Sequence, residues 1–390
     1  MIHRTDGALT IDSKLPAVGT TIFTVMSRLA AEVGAINLSQ GFPDFDCDPA
    51  LVEAVSTHMR SGKNQYAPMA GVPRLREAIA AKYEWSSGRI YDPESDVTVT
   101  SGGTEGIFDA VAATVGPGDE VVVLEPCYDS YVPAITLSGG TPVFVRLQFP
   151  DYSIDWDAVR RAVTARTRMI MINSPHNPTG AVLTPEDIRA LVDLVDGTRI
   201  LILSDEVYEH IIFDGLRHES CARYDALAAR AFIVGSFGKT YHTTGWKVGY
   251  TVAPAALTAE FRKVHQFVTF STNTPVQHAI ADFLETRRGL TELAPFFQAK
   301  RDLFLRLMSG SGFRPLACRG SYFQLMDYSA ITDEPDADFA IRLTREYGVA
   351  SIPTSPFLHD GKAPAVLRFC FAKRDETLEQ AAARLQGVRP

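Results

Sequence analysis

The sequence predicts an α/β fold with two parts: a large domain around a mostly parallel sheet covered on both faces, and a smaller α+β domain. Three observations predict it. Between about residues 97 and 252, short β-branched runs alternate with longer segments of helical periodicity. Most of the short runs are continuously apolar, as strands buried on both faces should be. After about residue 280 the pattern changes to a long charged helix and shorter strand-like pieces, and 390 residues exceed what one simple core accommodates.

The strand candidates, in order, are residues 97–100, 121–124, 142–145, 169–173, 200–203, 231–234 and 248–252. Between the fourth and fifth, Thr184-Pro-Glu-Asp187 supplies an N-cap, a first-turn proline and acidic residues. Ile188, Leu191, Val192 and Val195 then recur at helical spacing, which predicts a crossover helix. A charged helix around 296–308 and strand-like pieces at 322–326 and 366–371 predict the second domain. The expected division is residues 1–45 as an N-terminal arm and part of the small domain, 46–280 as the large domain, and 281–390 as the small C-terminal domain. No internal repeat or low-complexity tract is visible.

Composition is that of an ordinary globular protein, 46% hydrophobic and 22% charged. The net charge of -8 is spread without an acidic tail or basic block, so neither nucleic acid nor a membrane surface is expected as a partner. Cysteines 47, 127, 221, 318 and 370 are far apart, odd in number and free of any Cys-x-x-Cys pair. That argues against a disulfide framework and a cysteine zinc site, and a reducing cytoplasm is expected. Residues 1–7 contain no apolar core of signal-peptide length, and no segment stays apolar long enough to span a bilayer, so neither export nor membrane insertion is expected.

In open α/β sheets the ligand sits beyond the carboxyl ends of the strands, so the residues after each run are the ones to inspect. The first run ends in Ser101-Gly-Gly-Thr-Glu-Gly106 and leads into a helix with apolar Ile107, Phe108, Val111 and Val115. Backbone N–H groups at such a turn suit a phosphate, although a simple bend has the same composition. The pattern Gly-x-Gly-x-x-Gly is absent, which disfavours a dinucleotide. The fourth run leads to Asn173-Ser-Pro-His-Asn-Pro-Thr-Gly180, which reads equally as a turn or as a means of placing Asn177 in the crevice. Asp205 ends the fifth run, where a buried carboxylate needs a partner or caps a helix. Ser236-Phe-Gly-Lys-Thr240 ends the sixth and superficially resembles a P-loop tail, but the motif's first glycine would fall at Ile233. Lys239 is then a lysine at the mouth of a parallel sheet, where desolvation would depress its pKa and suit Schiff-base chemistry, against a default of solvated surface. Arg368 interrupts an apolar strand, Val366-Leu-Arg-Phe-Cys-Phe371, and on position alone reads as an edge arginine facing water.

Together these elements resemble the class I/II aminotransferases of fold type I, which depend on pyridoxal 5′-phosphate (PLP). The resemblance covers nearly the whole chain, from Asn37-Leu-Ser-Gln-Gly-Phe-Pro-Asp-Phe45 through Arg368. Asn64-Gln-Tyr-Ala-Pro68, Asn177-Pro-Thr-Gly180, Ser204-Asp-Glu-Val-Tyr208 and Ser236-Phe-Gly-Lys-Thr240 are most similar to the branch containing methionine aminotransferase and the kynurenine/glutamine transaminases. The resemblance implies the PLP-dependent transferase fold, and ping-pong transfer of an amino group from an L-amino acid to a 2-oxo acid.

By that match Lys239 would carry the cofactor and later shuttle a proton. Asp205 would pair with the pyridine nitrogen, and Tyr208 and Asn177 would hydrogen-bond the ring's 3′ oxygen. Tyr128 would stack on the ring. Gly103 and Thr104 would offer backbone N–H groups to the phosphate, joined by Ser236, Lys247 and Tyr66. Tyr66 would reach in from the neighbouring subunit, implying a homodimer with shared sites. Arg368 would be the bidentate clamp for the substrate carboxylate, helped by Asn177 and the backbone of Gly41. Phe23, Phe42, Tyr66 and Tyr128 would give an aromatic, uncharged pocket that favours methionine, glutamine or aromatic donors over aspartate. Phe23 stands where close relatives often have tryptophan, and Cys127 and His176 also depart from the common wording.

Two further readings use the same cofactor. A cysteine-conjugate C–S β-lyase would expel a thiol from Cβ after the same deprotonation. A non-catalytic PLP-binding regulator would need a DNA-binding module, and the about forty residues before the Asn37 motif offer neither a helix-turn-helix nor a basic surface.

Overall fold

Seven strands form the central sheet of the computed structural model, which describes residues 11–389; residues 1–7, read above for a targeting segment, lie outside them. The strands are β1 (Val97–Thr100), β2 (Glu120–Glu125), β3 (Thr141–Arg146), β4 (Thr167–Asn173), β5 (Leu201–Asp205), β6 (Ala231–Ser236) and β7 (Gly249–Val252). Their order across the sheet is β1-β7-β6-β5-β4-β2-β3. Each predicted run is a strand, the first with the predicted bounds and the others with bounds shifted by at most two residues. Strands β2 to β6 pair in parallel, whereas β7 runs antiparallel to both β1 and β6. An apolar run reads the same in either direction, so the sequence did not disclose the reversal.

The reversal brings Gly249, the first residue of β7, to the edge where β1 and β6 end, opposite Thr100 and Ser236. A Cβ there would lie 2.7 Å from the Gly235 carbonyl oxygen and 2.9 Å and 3.0 Å from the backbone of Gly102 and Gly103. Only glycine allows that approach. Strand β2 is buried throughout, while β3, at the sheet's edge, is partly exposed.

Both faces are covered. The helix Gly102–Thr114 leaves β1 directly and buries Ile107, Ala110 and Val111 against Val121, Val123, Leu203 and Val234. The predicted crossover helix is Pro185–Val195, capped at Thr184 by a reciprocal capping box with Asp187. Its Ile188, Leu191 and Val195 pack with Ile170 and Ile202 on the opposite face. Burial of each such side chain contributes about 1.5–3 kcal/mol.

A second, antiparallel sheet orders Ile352–Pro353, Val366–Cys370, Phe323–Asp327 and Arg314–Pro315. The long helix that accompanies it begins at Leu290, earlier than the periodicity suggested, and continues through Pro295 to Met308. This core also takes Met26, Leu29 and Leu38 from the N-terminal segment, and Tyr208, Ile211 and Phe213 from beyond β5. Ile36–Asn37 pairs in parallel with Val349–Ala350. The five cysteines are unpaired, and among the described residues no helix is long and apolar enough to cross a membrane.

Candidate active site

A cavity of about 290 Å³ opens where the parallel strands and β1 end and β7 begins, walled on the far side by Arg368 and Phe323 of the second sheet. β5 delivers Asp205 to its floor. The Asp205 carboxylate is buried; its Oδ2 accepts from the Tyr131 hydroxyl at 2.6 Å and its Oδ1 from the Val207 N–H at 3.3 Å. Burial is the larger influence and lifts this carboxyl to about 6, against the lowering effect of those two bonds. Among the described residues no cation pairs with it directly.

β6 ends at Ser236, and the single turn Phe237–Thr240 that follows holds Lys239 inside the cavity. The Lys239 amine donates to the Gly41 carbonyl at 3.2 Å and lies 3.0 Å from the Tyr322 hydroxyl. Burial lowers it to about 8; Lys247 and Arg368 push the same way, and Cys370 and Asp205 oppose them. The surface lysine that position alone would suggest is therefore not what the fold builds.

Gly102 and Gly103 open the helix Gly102–Thr114, whose first N–H groups have no intrahelical partner. A Cβ on Gly103 would press on Val207 Cγ1 at 2.9 Å, so the backbone is exposed to the cavity because no side chain fits. Thr104 lines the same corner, its hydroxyl 3.4 Å from that of Tyr128. Lys247, in the left-handed region at φ 56°, sends its amine to within 3.2 Å of where a Cβ of Gly102 would sit. Glycine backbone, a helix N-terminus, Ser236 and Lys247 thus meet at one corner, a combination suited to a phosphate.

At the other end Arg368 is fully buried and does not face water as an edge arginine would. Its Nη1 donates to Asn177 Oδ1 and its Nη2 to the Ser39 carbonyl, both at 2.9 Å, while its buried Nε has no partner. The guanidinium lies 3.9 Å from the Phe323 ring centroid and 5.0 Å from that of Phe23. Among the described residues it pairs with no carboxylate, and burial lowers it to about 10. A buried cation with an unused donor and no counter-ion is a place for a ligand's anion.

Phe23, Phe42, Tyr128 and the buried Tyr208 also line the cavity, as the sequence suggested. Tyr66 does not: it is 82% exposed, its ring edge-on to Phe270 at 5.3 Å. Gly41 engages Lys239 through its carbonyl. Of the three residues that depart from the family wording, only Phe23 touches the cavity. Cys127 is buried, which pushes its thiol up to about 12, and His176 bonds Thr179 at 2.8 Å beside a separate, smaller cavity.

Sequence reasoning missed Tyr131, which bonds Asp205, and Tyr322, which contacts Lys239. Tyr131 follows Tyr128 closely and Tyr322 opens a predicted strand, but aromatics in such places are ordinarily core. It also missed a buried cluster behind the glycine turn. His265 Nδ1 meets Glu105 Oε1 at 2.6 Å and lies 3.5 Å from Asp109 Oδ2, and its Nε2 meets the Met69 carbonyl at 2.9 Å. These carboxylates raise His265 to about 9 despite its burial.

The description aminotransferase class I and II matches residues 33–385. Methionine aminotransferase of Escherichia coli K12 is 49% identical over 98% of this chain and 100% of its own length. Kynurenine–oxoglutarate transaminase of Dictyostelium discoideum is 34% identical, over 93% of each chain. The crystal structure of Escherichia coli YbdL, for which a methionine aminotransferase function was identified, superposes with a TM-score of 0.95 at 49% identity, covering 97% of this chain and 100% of that one. Matches that run the length of the chain, and a fold shared to this degree, leave one conclusion: the chain belongs to aminotransferase class I and II and is an amino-acid aminotransferase.

Proposed function

We propose that this chain moves the amino group of an uncharged L-amino acid, methionine, glutamine or an aromatic one, to a 2-oxo acid in a ping-pong cycle, with pyridoxal 5′-phosphate held on Lys239. One observation carries the reading: Arg368 is buried without a counter-ion among the described residues, across an aromatic-walled cavity from a lysine whose amine is lowered to about 8. A substrate carboxylate supplies the missing charge, and fork geometry fixes the amino acid's orientation.

The family implies the cofactor, and the residues fit it. Asp205 is a buried carboxylate that pairs with no cation among the described residues and suits a protonated ring nitrogen. Tyr208 and Asn177 suit the ring's 3′ oxygen, and Tyr128 suits its face. Gly103, Thr104, Ser236 and Lys247 suit its phosphate. When bound, the cofactor supplies the electron sink that makes the substrate Cα–H acidic. Lys239, neutral above about pH 8, takes that proton on Nζ. Phe23, Phe42 and Phe323 line the cavity with apolar surface and offer no cation to a second carboxylate, which disfavours aspartate.

The exposure of Tyr66 supports its insertion into a second subunit's phosphate corner, hence a homodimer. Five unpaired thiols support a cytoplasmic setting. The contribution of Met26, Leu29 and Leu38 to the second core supports the division into residues 1–45 as an N-terminal arm and part of the small domain, 46–280 as the large cofactor domain, and 281–390 as the small C-terminal domain.

Borohydride reduction of the cofactor-loaded protein and peptide mapping test the lysine; modification anywhere but Lys239 overturns it. Donor profiling against several 2-oxo acids tests the substrate, and a preference for aspartate would reverse that part. Incubation with a cysteine conjugate should give slower pyruvate release than transamination. Light scattering should give twice the chain mass, and a fully active monomer would refute the shared site.

A further inference from the structure

We propose that Tyr322 is a positioning residue for Lys239, fixing the direction in which the amine presents its lone pair; this rests on Lys239 being the cofactor-bearing lysine. The Tyr322 hydroxyl is in a fully buried residue and donates its one proton to the Gly41 carbonyl at 2.5 Å. Its oxygen can therefore only accept from Lys239 Nζ, 3.0 Å away. The same Gly41 carbonyl accepts a second time, from Lys239 itself, at 3.2 Å. A neutral amine has two N–H groups. The two acceptors lie side by side, 2.5 Å apart, so they draw the amine's donors to one side and leave the lone pair on the other, toward the cavity.

Both acceptors are fixed. The Tyr322 ring stands edge-on to Tyr208 at 5.1 Å and to Phe323 at 4.9 Å. Gly41 is pressed so closely on Phe323 that a Cβ would lie 2.7 Å from the ring, and the next carbonyl, of Phe42, accepts from Lys373 at 2.8 Å. Burial keeps the phenol protonated, which excludes it as the base itself.

The test is Tyr322→Phe, which removes one oxygen and keeps the ring. With the holoenzyme, kcat should fall about 10-fold with KM nearly unchanged, and the isotope effect with a Cα-deuterated donor should rise, because a misdirected amine slows proton abstraction specifically. In the cofactor-free protein, the pH midpoint for acetic anhydride labelling of Lys239 should move down, since an acceptor that favours the ammonium is gone. Unchanged kcat, isotope effect and midpoint would overturn the proposal, as would a rise in KM alone. Borohydride mapping on both proteins separates the two levels: Lys239 modified in a variant otherwise like the parent sinks only the role of Tyr322, whereas another lysine modified sinks the reading beneath it.

Discussion

Replacing Arg368 with methionine should separate ligand recognition from folding. The guanidinium offers two or more charge-assisted hydrogen bonds to a carboxylate, each worth about 1.5–3 kcal/mol. Losing two removes ~3–6 kcal/mol, or about 10²- to 10⁴-fold in kcat/KM for an amino acid. A primary amine lacking the carboxylate cannot use those bonds, so its slow reaction should be unaffected. Stability should respond differently. The cation is buried with no counter-ion among the described residues, so its removal relieves a desolvation cost, while the Ser39 carbonyl and Asn177 Oδ1 each lose a donor. These effects oppose one another, and the melting temperature of the cofactor-free protein should change by less than about 3 °C. Steady-state kinetics with matched amino-acid and amine donors, together with calorimetry, make the comparison. Equal losses for amine and amino acid, or a large fall in melting temperature, would show that Arg368 braces the fold and does not bind the substrate.

Asp205→Asn should retain cofactor but lower kcat by at least about 100-fold, because an amide cannot keep a ring nitrogen protonated; cofactor absorbance and single-turnover rates report the two separately. Gly249→Ala should destabilise by about 1–3 kcal/mol, since its Cβ meets the Gly235 carbonyl on one side and the Gly102–Gly103 peptide on the other, and should weaken cofactor retention on dialysis. His265 titrates near 9 in the fold against an ordinary 6.5, so the stability it contributes is complete below pH 6.5 and lost as pH rises through 9. The fall across that window is up to about 3 kcal/mol, and His265→Gln should flatten the corresponding decline in melting temperature.

Much of this molecule was legible because its parallel strands are buried on both faces, and such strands announce themselves as uninterrupted apolar runs. The residues just after those runs, Asp205 and Lys239 above all, were conspicuous because charge is out of place there. Strand direction was not legible, and neither were contacts that join distant segments. Glu105 and Asp109 look like solvated helix acids until His265, 160 residues from Glu105, is packed against them. Tyr131 and Tyr322 failed to stand out for a related reason: a phenol's function lies in what its hydroxyl reaches, and only the fold fixes that. Tyr66 was legible only through the family resemblance, since within one chain it stands exposed, outside the cavity.

The counter-running seventh strand has a topological consequence. Lys239 precedes the return and Lys247 completes it, so one short excursion of the chain sets both amines on the same rim of the sheet. A parallel crossover would have begun its strand at the opposite rim and carried the second lysine there. The separation of the two cations is thus a property of one hairpin-like return, and a residue inserted or deleted inside it would shift Lys247 relative to Lys239.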